Sequence, residues 1–297
     1  MAVAPCTCLY QRVDQPVSLI GLRIAICEFS PRETLRLQPY SGSAWRGAFG
    51  YSLKRLLCRA ELRPCTGCPQ RAECLYPSFF AEFDSHQDIA RPYVLAPAPT
   101  PRGGMVEAGD SFRVTLTLLP SAGRASSYAI RALIDAAESG LTSRRTKLAL
   151  RALHGPRPIE PEPPPPPDAV KLRFITPLRL SLQHDLLTAR TLAPKHLINA
   201  AIRRLIASGF APPSEYVLTA RTEAATLSFR SARLGWLETT RRSSRQQTKM
   251  QLGGIIGEAI IDLRNSPATF PLLWAAAQLH LGKGTSMGFG GIDVEPL

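Results

Sequence analysis

No stretch of the sequence approaches the roughly 18 apolar residues that a membrane-spanning helix needs. No basic amphipathic segment carries the bulky apolar face of a surface-lying membrane helix either, so no membrane partner is expected. Residues 1–16 lack the continuous apolar core of a signal peptide, which makes the cytoplasm the expected location. Acidic residues are scarce: 23 Asp and Glu stand against 36 Lys and Arg, a formal charge of +13. With membranes set aside, that excess points to nucleic acid, because release of phosphate counterions rewards clustered Lys and Arg. A Walker A loop is missing as well. The glycine-rich stretch at residues 280–291, HLGKGTSMGFGG, has the wrong spacing of glycine, lysine and hydroxyl for one.

What remains is a globular chain. Its 297 residues, 44% of them hydrophobic, suit about two domains. Apolar alternation predicts strands at residues 16–29, 92–95 and 111–119, and helical periodicity predicts helices at 44–57, with Ser43 as N-cap, and 125–139. Residues 146–153 return as a last strand. A proline-rich run at 156–168 cannot join a helix or a central strand and reads as a stiff linker between domains at 1–155 and 169–297. The second half then gives a strand at 170–182, a helix at 194–208, strands at 225–238 and 249–263, and a helix at 267–281. Both halves follow the β-α-β-β-α-β order, so the expected fold class is α+β, two tandem ferredoxin-like domains, without a sequence repeat between them.

Three clusters carry chemistry. Cys58, Cys65, Cys68 and Cys74, separated by six, two and five residues, form a knuckle within residues 58–80 of the first domain. Four thiolates at such spacing close a tetrahedral structural zinc site and leave no open position for catalysis; free buried cysteines and an iron–sulfur cluster are the alternatives. A basic run holds Arg241, Arg242, Arg245, Gln246 and Lys249 in a hairpin, where arginine forks and amides match phosphates and base edges. The glycine stretch offers Gly282, Lys283, Gly284, Thr285, Ser286, Gly288 and Gly290 as a backbone-and-hydroxyl cradle for a phosphodiester chain, or simply a turn closing a sheet.

These residues resemble a known family. The segments AWRGAFGYSLKRLLC with CTGCPQRAEC, PYVLAP, RRSSRQQTKMQLGGIIGE and LHLGKGTSMGFGG run across residues 45–291 in the order found in one branch of the CRISPR precursor-RNA processing endoribonucleases of the RAMP superfamily, a branch with a four-cysteine insertion after the first helix. The resemblance implies RNA lying between two ferredoxin-like domains. It implies cleavage within CRISPR repeats by the RNA's own 2′-hydroxyl, with no catalytic metal, giving mature guide RNA with 2′,3′-cyclic phosphate and 5′-hydroxyl ends. Repeat RNA and guide RNA are the implied partners, with subunits of CRISPR effector complexes beside them. Members often use a histidine in or near the first helix, but here that helix offers Arg46 for RNA and Tyr51 and Lys54 for chemistry, and no histidine. His280, next to the glycine stretch, is the other catalytic candidate, since imidazole titrates near neutral pH; a structural hydrogen bond is its competing role. A non-cleaving RAMP subunit that holds guide RNA, and a zinc-containing nucleic-acid binder outside CRISPR, are the alternative functions.

Overall fold

A computed structural model describes residues 16–80, 89–100, 104–142, 144–183, 185–238, 240–242 and 249–297. In the first domain β1 (Arg23–Pro31) is followed by β2 (Leu35–Arg36), α1 (Gly42–Leu57), α2 (Tyr76–Phe80), β3 (Tyr93–Pro97), β4 (Met105–Val106), β5 (Phe112–Leu118), α3 (Ser126–Ser139) and β6 (Leu148–Pro158). The sheet order is β3-β5-β1-β6 with every pairing antiparallel. Trp45, Phe49 and Leu53, four residues apart on α1, meet Ala25, Cys27 and Phe29 of β1 in one buried core, with Leu133 and Ala137 of α3.

The second domain repeats this plan. It comprises β7 (Ala169–Leu178), β8 (Ser181–Leu182), β9 (Asp185–Leu186), α4 (Pro194–Ala207), α5 (Ser214–Thr226), β10 (Phe229–Leu237), β11 (Thr240–Arg242), β12 (Lys249–Gln251), β13 (Gly254–Asp262), α6 (Phe270–Leu279) and β14 (Ile292–Pro296). Its sheet order, β10-β13-β7-β14, is the same 2-3-1-4 arrangement, so the chain is two tandem ferredoxin-like folds.

Several elements depart from the periodicity; α1, for one, begins at Gly42 with Ser41 rather than Ser43 at its N-cap. Helix α5 was not expected: it buries only Ala220 and Ala224, too thin an apolar stripe to register. Strand β6 runs past residue 153 to Pro158, because as an edge strand it can hold prolines that donate nothing to the ladder. The apolar residues before β1 belong to no strand. Val17, Leu19 and Leu22, with Ala90 and Leu119, join the core of the second domain instead. The Leu19 N–H donates to the Pro161 carbonyl and the Ala90 N–H to the Ala207 carbonyl, each at 2.7 Å. This apolar seam joins the domains, each large side chain contributing about 1.5–3 kcal/mol by its burial.

The glycine stretch links α6 to β14, and its tip, Thr285–Met287, lies against α1 and β3. The approach is backbone on backbone. A Cβ on Gly42 would stand 1.7 Å from the Met287 carbonyl oxygen, and one on Gly288 would stand 2.8 Å from the Leu95 carbonyl oxygen. On the same helix, a Cβ on Gly47 would meet nothing within 4 Å. Gly42→Ala should therefore destabilise the chain by about 1–3 kcal/mol through forced displacement, whereas Gly47→Ala should stabilise it by about 0.5–1 kcal/mol through helix propensity. Thermal melts of the two variants check this, and shifts of the same sign would contradict the wedge.

Candidate nucleic-acid interface

The glycine loop spends much of its backbone on holding its own shape. Leu281 N–H donates to Gly290 C=O at 2.9 Å, Lys283 N–H to Arg179 C=O at 2.8 Å, and Gly290 N–H to Pro177 C=O at 3.0 Å. The Thr176 hydroxyl donates to Gly288 C=O at 2.7 Å and accepts from Gly291 N–H at 2.8 Å. Gly290 has φ 69°, and a Cβ there would stand 1.8 Å from the Leu281 carbonyl oxygen, so only glycine fits. Gly288 is buried against β3 of the first domain and Gly290 within the second domain, Gly284, Thr285 and Ser286 are half-buried, and Gly282 and Lys283 face solvent. The exposed part can touch RNA; the buried part docks the two domains.

His280 caps α6 with φ 58° and ψ 159°, a region nearly reserved for glycine. Its Nδ1–H donates to the Phe289 carbonyl at 3.1 Å, which leaves Nε2 as the acceptor. Burial pushes its pKa down to about 4, the Phe289 hydrogen bond opposes that shift, and the nearby Arg204 adds to it. At neutral pH the ring is uncharged, and Nε2 can accept a hydrogen bond. Of the other histidines, His196 accepts the Ala193 N–H at 3.0 Å and so caps α4, His154 lies on β6, and His86 and His184 fall outside the described residues.

Helix α1 points its three candidates in three directions. Arg46 turns into the seam, its guanidinium 5.1 Å from the Phe80 ring centroid. There it stands with Ser286 beside the buried Tyr93 hydroxyl; burial pushes the Tyr93 pKa up, and the neighbouring Arg46 opposes that shift. Lys54 donates to the carbonyls of Leu62 at 2.9 Å and Arg63 at 2.7 Å, stapling the cysteine segment to the helix. Tyr51, 61% exposed, lines an open groove of about 1850 Å³ between α1 and α3.

Reasoning from the sequence missed the rest of that groove. Arg36, Tyr40, Ser41, Arg55, Arg145 and Lys147 also line it, drawn from β2, α1 and the turns beside α1 and α3. Burial raises the Tyr40 pKa. The Arg55 guanidinium lies 6.0 Å from the Tyr51 ring centroid. Of the two carboxylates on the groove wall, Asp135 is engaged by Arg131 at 2.7 Å, so positive charge prevails. The only sequence signal was the basic cluster at Arg144, Arg145 and Lys147, which nothing in the chain order links to α1.

The cysteine segment folds locally into a turn, with Cys68 N–H donating to Cys65 C=O at 3.3 Å and Cys74 N–H to Gln70 C=O at 3.1 Å. Cys58, Cys65, Cys68 and Cys74 are all half-buried. Their thiols suit zinc, yet among the described residues no three His, Cys, Asp or Glu side chains converge into a metal-holding group. In the basic hairpin, β11 pairs with β12 and sets Arg242 opposite Lys249 and Arg241 opposite Met250. Arg245 and Gln246 lie outside the described residues. No helix among the described residues is long and apolar enough to cross a membrane.

The low pKa of His280 has a measurable consequence. Its folded value lies below the ordinary 6.5, so the unfolded chain binds the proton more readily, and folding stability must fall as pH drops from about 6.5 towards about 4. Melting temperatures across that window should fall more steeply for the native chain than for His280→Asn. Parallel slopes would contradict the buried, neutral ring.

Residues 172–292 match the family model of the CRISPR-associated endoribonuclease Cas6, and an N-terminal domain model matches residues 21–162. No curated protein matches the chain. Among solved structures, a Cas6 product complex is similar with TM-score 0.59 and 17% identity, covering 92% of this chain and 99% of that one. Thermus thermophilus Cas6 is similar with TM-score 0.57 and 15% identity, covering 92% and 98%. A partial Cas6-RT-Cas1–Cas2 complex gives TM-score 0.59 and 12% identity, covering 92% of this chain and 46% of that one. The structural likenesses establish the tandem ferredoxin-like fold along most of the chain. The family likeness therefore rests on residues 172–292, the second ferredoxin-like domain, which is similar to the CRISPR-associated endoribonuclease Cas6.

Proposed function

We propose that the chain cuts CRISPR precursor RNA within its repeats by internal transesterification, and that the cut is made in the groove between α1 and α3. The 2′-oxygen attacks the adjacent phosphorus, the bond from phosphorus to the 5′-oxygen breaks, and 2′,3′-cyclic phosphate and 5′-hydroxyl ends remain. Such a reaction needs a base for the 2′-proton, an acid for the leaving oxygen, and charge to stabilise the crowded phosphate. The observation that carries this reading is the groove itself: it brings the solvent-facing hydroxyl of Tyr51 together with Arg36, Arg55, Arg145 and Lys147. Tyr51 is the proton-transfer candidate, and Tyr40, on the same groove wall, can donate a hydrogen bond to the phosphate. The guanidinium forks suit the phosphate. This set supplies proton transfer and charge from side chains, so the proposed route runs without a catalytic metal. His280 does not line the groove, and Lys54 is held by the cysteine segment. Guide RNA held after the cut, and other CRISPR proteins such as those in the Cas6-RT-Cas1–Cas2 complex, are the proposed partners.

The test is single-turnover cleavage of end-labelled repeat RNA in magnesium-free buffer, without chelator. We expect one cut within the repeat, a cyclic phosphate end, and a rate about 10²–10⁴-fold lower for Tyr51→Phe. Tight binding that leaves the RNA intact would defeat the enzyme reading and favour a guide-RNA-holding subunit.

We also propose that Cys58, Cys65, Cys68 and Cys74 bind one structural zinc ion, on the strength of the donor chemistry and the Cys65–Cys68 turn. Metal binding would have to draw the four sulfurs closer together than they stand. Elemental analysis should then find about one zinc per chain, lost together with thermal stability in a Cys65→Ser, Cys68→Ser double variant. A zinc-free native chain with the same melting temperature as the variant would overturn the assignment.

A further inference from the structure

We infer that Trp236 is a fixed stacking platform for an unpaired base of the RNA, a duty that rests on the RNA-processing reading above. Of the three tryptophans, Trp45 is wholly buried, Trp274 packs against the core, and Trp236 stays 40% exposed near the end of β10, the edge strand of its sheet. An exposed indole on an edge strand normally has freedom to move, but this one is pinned. Its Nε1–H donates to Glu238 Oε2 at 2.7 Å. Its ring edge lies so close to Gly253 that a Cβ there would stand 2.5 Å from Nε1 and 2.8 Å from Cε2. With the indole's one donor spent on Glu238, it has no hydrogen bond to offer a base edge, and what faces solvent can act only by stacking. Stacking on an immobilised aromatic accepts any base, because each presents a π-face.

The surroundings select a polyanion. Arg230 is exposed on the same strand, whereas Arg233, which lies across from Glu258, stands on the other face of the sheet. The hairpin that follows carries Arg241, Arg242 and Lys249. The pin is also tied to the glycine loop: the Arg179 guanidinium donates to the Gly253 carbonyl at 2.5 Å, while the Arg179 carbonyl accepts from Lys283. Trp236, Gly253, Arg179 and the exposed Gly282–Lys283 corner are thus one connected structure, and a base on Trp236 would be registered against the loop that docks onto α1.

The test is titration of the full-length protein with repeat RNA and with a ten-nucleotide oligouridylate, following tryptophan fluorescence and, separately, RNA binding by anisotropy. We expect both RNAs to quench the native emission, Trp236→Phe to lose that quench while binding within about threefold of native, and Trp236→Ala to bind about 5- to 100-fold more weakly. Gly253→Ala, which keeps the indole but displaces it, should weaken binding in the same direction, so a failure of Trp236→Ala to fold leaves a second measure. Native binding that Trp236→Ala and Gly253→Ala leave unchanged, or a quench that survives in Trp236→Phe, would overturn the platform while the RNA-processing reading stands. Failure of the native protein to bind either RNA would overturn both.

Discussion

The architecture depends on two backbones coming closer than any side chain would permit. At Gly42 the start of α1 meets the Met287 carbonyl, and at Gly288 the glycine loop meets the Leu95 carbonyl of β3. The apolar seam of Val17, Leu19, Leu22 and Leu119 supplies non-directional attraction, but it does not fix an orientation by itself. The glycine contacts do, because a missing Cβ is a shape that admits one partner. Lying between α1, which forms one wall of the groove, and Arg179, which reaches Gly253 beside Trp236, the loop sets the first domain's chemistry in register with the second domain's basic edge.

Electrostatics points the same way. The second domain's sheet turns Val170, Leu172 and Phe174 into the core, and on its other face the cations are largely answered. Lys171 pairs with Glu258 and Arg173 with Asp293, and beyond the end of β13 Arg264 pairs with Asp262. Exposed pairs of this kind contribute little stability, but they cancel charge where they sit. The groove is one place where cations outnumber acids: Arg36, Arg55, Arg145 and Lys147 line it against Asp135 and Glu138.

Much of the fold was legible because local and tertiary preferences agree. Trp45, Phe49 and Leu53 recur at helical spacing since that face does meet the sheet, and the strand–helix order of both halves survives intact. Misreadings arose where one element serves a distant one. Residues 16–22 alternate like a strand because they fill the seam, and α5 stayed hidden because it buries only two alanines fully, with Tyr216 and Glu223 held by polar contacts to Ala268. The site was legible only in part. Tyr51 could be named from α1, but Tyr40, Arg145 and Lys147 come from separate turns, and no spacing joins them before the chain folds. Lys54 and Arg46 looked equally exposed on the helix until tertiary contacts committed one to the Leu62 and Arg63 carbonyls and the other to Phe80. The glycine loop read as a phosphate cradle because the glycines that permit close approach to RNA equally permit close approach to another domain.

We propose that one RNA occupies the groove and the exposed corner of the glycine loop together. Hydrogen–deuterium exchange of the full-length protein, with and without a repeat RNA made uncleavable by a 2′-deoxy nucleotide at the cut, tests it most directly. The account predicts concerted protection of peptides covering residues 36–56, 141–147 and 282–287, with one common dependence on RNA concentration. Protection confined to one domain, or two regions saturating at different concentrations, would contradict it.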